Sequence, residues 1–347
     1  MYRLITSAMG GAAMVLALGL ADVKPAVAQD VKEIRWATSS VGSSGHRALV
    51  ALANLLNKEM PELEVTVLPT PGAAATVRGF ASGEFDGFYG ADIAFHEIAE
   101  KAGRYKDFDA SAGKQLTQSF WAFTLEIGLC INADDADEFK QWRDLNGKPV
   151  FTGPAPWDTR AALERAMAAI EVGHTYVELD NSLAGSALKE NQIEAFSCYT
   201  TGGESPAPWV TEAMLTTPST VLNLSDEEIE MLRDKDIETV RVSTDAFEGD
   251  MEVDEAVTVT LFYGFDVGTD FSEDEVYRML TVIEEHADEL AQADAGFNQI
   301  ASDMVEMQRR GIQSAGDTVP IHPGLAKFLR EKDAWDAAWD ERVAKTS

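Results

Sequence analysis

Between Glu33 and Asp92 the chain switches twice from strand-like to helix-like patterning, and this alternation constrains its fold more than any other feature. "EIRWAT" reads as a short strand, and "HRALVALANLLNKEM" places apolar residues at helical spacing. "LEVTVLPT" alternates as a strand does, "PGAAATVRGFASGE" reads as loop and helix, and "FDGFYGAD" as a third strand. Strand, helix, strand, helix, strand is the order of a parallel α/β sheet. Such sheets hold ligands outside the carboxyl ends of their strands, where the first loop, "TSSVGSSGHRA", lies.

The pattern restarts after a helical, aromatic-containing stretch, "IAFHEIAEKAGRYKDF". "FWAFTLEIGLCINA" reads as a strand pair, "DDADEFKQWRDLNGK" as a polar connection, and "PVFTG" as a strand entering a Gly/Pro loop. The helix "TRAALERAMAAIEV", the strand "TYVELD", the helix "SLAGSALKEN" and the strand "IEAFSCYT" follow. The second run repeats the topology of the first without repeating its sequence, which predicts two α/β lobes joined by a hinge. "VTVTLFYGFDV" reads as a strand returning to the first lobe. Long helices follow over "SEDEVYRMLTVIEEHADELAQ", whose Ser272 and Glu275 spell a capping box, and over "LAKFLREKDAWDAAWDERVA", where Trp335 and Trp339 share a face. The expected division is 29–125 for the first part of lobe 1, 126–255 for lobe 2, and 256–347 for the return to lobe 1.

Residues 1–28 carry an early cation (Arg3), an apolar run from Ile5 to Leu20 and the small-residue spacing Ala26-Val27-Ala28, which reads as a secretory signal. A retained membrane anchor is the alternative; the apolar run is short for one and is interrupted by glycine. No later segment is apolar enough to span a bilayer, so direct membrane insertion is not expected once the signal is removed. The formal net charge is -31. Such a field repels nucleic acid and anionic lipid, and neither is expected as a partner. It does not oppose a small anionic ligand, because salt screens the global field over about 8 Å. The chain has two cysteines, Cys130 and Cys198, both in strand-like runs. They would form a disulfide if their strands are neighbours in an oxidising compartment, and would otherwise be buried thiols. No metal or other cofactor is expected.

The first loop is rich in small residues. Ser39, Ser40, Gly42, Ser43 and Ser44 let the backbone turn tightly, and the helix that follows adds free N–H groups and the positive end of its dipole. The combination suits an anion, most simply a carboxylate, although a plain helix cap would use the same residues. It lacks the lysine of a phosphate-binding loop and the G-x-G-x-x-G spacing of a dinucleotide site; His46-Arg47 stand there instead. The corresponding loop of the second run, "FTGPAPWDTRAA", offers Trp157 as an apolar wall, Asp158 as a cap or an amine partner, and Thr159 as a hydroxyl. Arg160 is either a carboxylate partner or an exposed first-turn residue. A third loop supplies Thr201, Gly202 and Gly203. The five histidines form no nucleophile elbow and no H-E-x-x-H pair, so the chain is not read as an enzyme.

The order of these motifs resembles the TAXI-type solute-binding proteins of TRAP transporters. The resemblance runs through the Thr38–His46 loop, "VTVLPTPGAAATVRGFASGEFDGFYGAD", "WRDLNGKPVFTG", "LKENQIEAFSCYTTGGESPAP" and, most specifically, "IHPGLAKFLREK". It implies a two-lobed, type II-like periplasmic binding protein that captures a small organic acid such as glutamate or 2-oxoglutarate and delivers it to the membrane permease subunits of a TRAP transporter. Carried over by position, ligand contacts would come from Ser39 to His46, from Thr70 to Ala74 with Gly72 and Ala73 in the turn, from Tyr89 to Asp92, from Pro156 to Thr159, and from Thr201 to Glu204. The chain departs from the family where His46 replaces an aromatic residue, where Trp157 and Asp158 enter the second loop, and at Gly72-Ala73 in place of glycine-serine. With Phe88 and Tyr89 beside the amide-rich loop, these changes predict a carboxylate with an apolar body. The same clamp would also serve a ligand-sensing protein, and an exported α/β hydrolase is the more distant alternative.

Overall fold

The apolar spacing of the first helix becomes a buried stripe. In α1 (Ser44–Glu59), Leu49, Leu52 and Leu56 are fully buried, and the helix stops at Met60, ahead of Pro61. The computed structural model describes residues 31–247 and 251–345. The secretory signal expected over residues 1–28 lies outside the described residues.

Lobe 1 begins with β1 (Lys32–Thr38), α1, β2 (Leu63–Pro69), α2 (Ala73–Ser82), β3 (Gly87–Ala91) and α3 (Asp92–Glu100). A long strand, β4 (Trp121–Asn132), crosses to lobe 2. There β5 (Pro149–Phe151), α4 (Asp158–Ala169), β6 (Thr175–Tyr176), α5 (Ala184–Lys189) and β7 (Ala195–Thr201) follow. The chain continues through β8 (Ser205–Pro206), α6 (Pro208–Thr216), β9 (Ser219–Leu222), α7 (Asp226–Arg233) and β10 (Thr239–Ser243). A second long strand, β11 (Glu255–Val267), returns to lobe 1, where α8 (Glu273–Glu285), α9 (Ala287–Ala293), α10 (Asn298–Ser314) and α11 (Pro323–Glu331) complete the fold.

The two lobes have the same strand plan. In lobe 1, β1 lies parallel between β2 and β3, and β11 is antiparallel beside β3. In lobe 2, β5 lies parallel between β6 and β7, and β4 is antiparallel beside β7. The long strands join the halves by pairing with each other, from Val259 opposite Ile127 to Gly264 opposite Trp121. Nearly every residue of both is buried. The divisions expected at 125/126 and 255/256 fall within β4 and at the start of β11. Val31–Ser347 form one compact unit.

Three elements differ from their sequence reading. "FWAFTLEIGLCINA" is not a strand pair: β4 runs through it unbroken, because it contains no turn residues and Gly128 stays extended opposite Cys198. The helix expected over "SEDEVYRMLTVIEEHADELAQ" breaks at His286, whose φ of -114° leaves the helical range. The last helix stops at Glu331, and Asp333 turns left-handed at φ 55°. Trp335 and Trp339 nevertheless meet edge to face at 5.4 Å. Cys130 and Cys198 lie on the neighbouring strands β4 and β7 and are bonded, with Cα atoms 5.8 Å apart.

Candidate functional site: the cavity between the lobes

Two helices begin at the seam between the lobes. The Ser43 hydroxyl caps α1 by accepting the His46 N–H at 3.2 Å, and it meets the Ser39 hydroxyl at 2.6 Å. The first N–H groups of a helix have no acceptor within it, which leaves those of Ser44 and Gly45 at the cavity wall. Across the seam α4 starts at Asp158, with Trp157 as an N-cap that makes no side-chain cap bond. A carboxylate of a solute would be stabilised at the positive end of α1, whereas the end of α4 already carries the Asp158 carboxylate.

Ser39, Ser43, Ser44, Gly45, Tyr89 and Tyr263 line the cavity from lobe 1 and β11. Leu125, Trp157, Asp158, Thr159 and Tyr199 line it from β4 and lobe 2. Tyr263 stacks on Tyr89 at 4.7 Å and on Phe123 at 4.9 Å, so three rings from adjacent strands form one stack, of which Tyr89 and Tyr263 face the cavity. Burial holds the Tyr89 and Tyr263 phenols well above their ordinary pKa, and pushes that of Tyr199 up to about 12. All three stay neutral at physiological pH and act as hydrogen-bonding hydroxyls. The cavity, which is partly open, measures about 40 Å³, room for only a few water molecules at about 10–15 Å³ each.

The lobes are fastened beside this cavity. Arg104, in the segment after α3, is held from lobe 1 by Glu97, to which its Nε donates at 2.7 Å. Its Nη1 lies 2.8 Å from Asp158 Oδ1 and donates to the Pro156 carbonyl at 3.3 Å, both in lobe 2. Both charged side chains are buried, Arg104 at 13% exposure and Asp158 at 4%. Among the described residues no well-aligned donor reaches either Asp158 oxygen, so Arg104 meets Asp158 as an ion pair and not as a hydrogen bond. The Ser44 hydroxyl meets that of Thr201 at 2.9 Å. A Cβ on Gly72 would stand 2.8 Å from the Pro156 carbonyl, so glycine there lets the lobes meet.

Of the residues singled out in the sequence, Ser39, Ser43, Ser44, Tyr89, Trp157, Asp158 and Thr159 come together at the cavity. The others lie elsewhere. Ser40 and Gly42 form the outer turn of the first loop, where Gly42 has φ 85°. His46 faces an outer groove with Arg47, Val50 and Asn54. Gly72 and the buried Ala73 start α2 at the seam. Arg160 is turned outward, with its guanidinium 3.6 Å from the centre of the Tyr176 ring and its Nε 3.4 Å from Glu164. Phe88 packs against Phe80 at 4.6 Å instead of facing the cavity, because Tyr89 takes the opposite side of β3.

Thr201, Gly202 and Gly203 form a braced turn. Gly202 donates to the Thr124 carbonyl at 2.9 Å and Gly203 to the buried Glu126 carboxylate at 2.6 Å. Asp92 is buried at the start of α3, where its carboxylate accepts from the N–H groups of Ile93 and Phe262 and from the Ser314 hydroxyl. Burial raises its pKa to about 7 against those hydrogen bonds. Sequence reasoning missed Leu125, Tyr199, Tyr263 and Arg104, and reached Gly45 only within the Ser39–His46 loop. The settings of these four carry no motif; the pairing of β4 with β7 and β11 brings Leu125, Tyr199 and Tyr263 to the seam, and Arg104 reaches it from the segment after α3. Among the described residues no group of three or more His, Cys, Asp or Glu is placed to hold a metal ion, and no helix is long and apolar enough to cross a membrane.

Two lobes of equal strand plan, joined by paired crossing strands around a cavity that both of them wall, define a two-lobed solute-binding fold. The profile of the NMT1-like family matches residues 36–332. The chain belongs to the NMT1-like family, whose members are substrate-binding proteins and not enzymes. Among solved structures, the periplasmic aliphatic sulphonate binding protein SsuA from Escherichia coli superposes with a TM-score of 0.48 and 15% identity, over 91% of this chain and 94% of that one. The probable amino-acid ABC transporter extracellular-binding protein YtmK from Bacillus subtilis gives 0.47 and 12%, over 77% and 98%. No curated protein matches the chain significantly.

Proposed function

We propose that this protein is the extracytoplasmic receptor of an importer, exported to the periplasm by residues 1–28, and that its lobes close on a small organic acid and hand it to a membrane permease. The observation that carries this reading is the cavity between the lobes, where the first turns of α1 and α4 meet beside the stacked rings of Tyr89 and Tyr263. The carboxylate would lie against the N–H groups of Ser44 and Gly45 and the hydroxyls of Ser39 and Ser43. The body of the solute would lie against Trp157 and Tyr89, which favours an apolar acid. The charge of Asp158, which also lines the cavity, is answered by its pairing with Arg104.

The lobes divide at the two crossing strands, and opening about those strands would admit a solute larger than the present cavity. Closure then trades the cost of ordering the seam for contacts on two sides. The resemblance to TAXI-type receptors favours a TRAP permease as the partner. The test is thermal unfolding against a panel of organic acids, amino acids and sugars. A ligand that binds only the native state adds about 2.7 kcal/mol at a hundredfold excess over its Kd. Midpoint rises confined to apolar carboxylates support the assignment, and rises confined to amino acids or sugars overturn it. Uptake of the identified acid by membrane vesicles carrying the cognate permease, dependent on added receptor, tests delivery.

A further inference from the structure

A second cavity, of about 330 Å³, lies between the lobes away from the stacked rings. Its wall is drawn from α3 and α10 of lobe 1, from α4 and the α7–β10 connection of lobe 2, and from β11. Thr260 lines it, whereas Tyr263 lines the first cavity. Three residues apart on one strand, the two side chains project from opposite faces of the sheet.

Three arginines reach this space: Arg165 from α4, Arg233 at the end of α7 and Arg310 from α10. Arg310 is paired with Glu238 at 2.7 Å and Arg233 with Glu230 at 2.8 Å. Arg165 is only partly exposed and has no ion-pair or hydrogen-bond partner among the described residues. That is unusual in a chain whose 59 acidic residues outnumber its 28 lysines and arginines. The Thr260 hydroxyl is 9% exposed as a residue and has no hydrogen-bond partner either. Buried polar groups are normally paired, so a cation and a hydroxyl without partners in one cavity point to a group that accepts from both. Of the acids in the wall, Asp92 is engaged by Ser314 and two backbone N–H groups, Glu238 by Arg310, and Asp236 is exposed.

We propose that this cavity binds a small oxyanion of the phosphate or sulfate class, with Arg165 as its main cationic contact and Thr260 as a hydroxyl donor, bridging the two lobes behind the solute cavity. Guanidinium groups match such oxygens in geometry as well as charge. Because the wall belongs to both lobes, the anion would bias their relative arrangement and so be coupled to solute capture.

Isothermal titration of the full chain with inorganic phosphate and with sulfate, at ionic strength held constant with sodium chloride, tests this. Binding of either ion is expected, weakened about tenfold or more by Arg165→Ala and by a smaller factor by Thr260→Val, as loss of charged and neutral partners of an anion predicts. Thr260→Val keeps the shape of the buried residue and serves if Arg165→Ala disturbs folding. Trp157→Ala, in the first cavity, is expected to leave phosphate binding unchanged. The proposal is overturned if neither ion binds beyond the effect of chloride, if both Arg165→Ala and Thr260→Val bind as the parent does, or if Trp157→Ala abolishes binding. The last outcome would assign the anion to the solute cavity. None of these results depends on which solute that cavity takes.

Discussion

The helices α1 and α4 occupy equivalent places in their lobes and present their first turns to the same cavity, yet they are finished differently. The first turn of α1 has no acidic residue and a serine cap, which leaves it a donor surface. The first turn of α4 has no side-chain cap and begins with Asp158, whose charge is answered by Arg104 of lobe 1. One strand plan has thus been used once to receive a solute and once to fasten the lobes. Topology sets where a site lies, and a few residues at the helix ends set what it does.

The largest expected effect comes from removing the fastening. Arg104→Ala leaves the buried Asp158 and the half-buried Glu97 without their cation, and is expected to lower the unfolding free energy by about 3–5 kcal/mol in denaturant titrations. If the two charges act as a pair, Arg104→Ala with Asp158→Ala costs less than the two single changes added together. Additive losses would break the contrast between the two helices.

A smaller effect is expected at the seam. In Gly72→Val the new side chain meets the Pro156 carbonyl and wedges the lobes apart, costing the closed form about 1–3 kcal/mol. Solute affinity should fall by about tenfold or more, while the midpoint of the unliganded protein, free to open, moves little. Equal losses in both measurements would mean that the seam is not a moving surface.

A pH series sharpens the comparison from another side. Asp92 and Asp158 are both buried first residues of helices, but Asp92 has no cation in direct contact, and burial outweighs its hydrogen bonds and the more distant Arg165 to raise its pKa to about 7. Between about pH 4 and pH 7 the folded chain holds a proton that the unfolded chain has released. The unfolding free energy therefore falls as pH rises through that window, by up to about 1.4 kcal/mol per pH unit for one proton. Asp266, raised to about 7 by burial against the N–H groups of Ser119 and Phe120, adds in the same direction. Asp92→Asn should flatten the slope, and an unchanged slope would show that Asp92 titrates normally. At the small end, Ser43→Ala removes the α1 cap and should cost about 1 kcal/mol. A loss several times larger would mean that Ser43 holds more than its own helix.

The sequence by itself determined the lobes. The alternation of period-two and helical patterning is a local property, and β1, α1, β2, α2 and β3 each follow from the spacing of their own apolar residues. It also marked both helix starts at the cavity, because a small-residue loop before an apolar helix is a local signal. It misread β4, since a strand that crosses between lobes lacks the turn residues by which strands are bounded, and it placed Arg160 and Phe88 without the neighbours that turn them away. Only the tertiary structure decided the rest. Tyr199, Tyr263 and Leu125 reach the cavity through the register of β4 against β7 and β11. Arg104 meets Asp158 across 54 positions of chain only because the lobes close upon each other. Pairing between distant segments is set by the summed burial of many residues, and no short stretch of sequence records it.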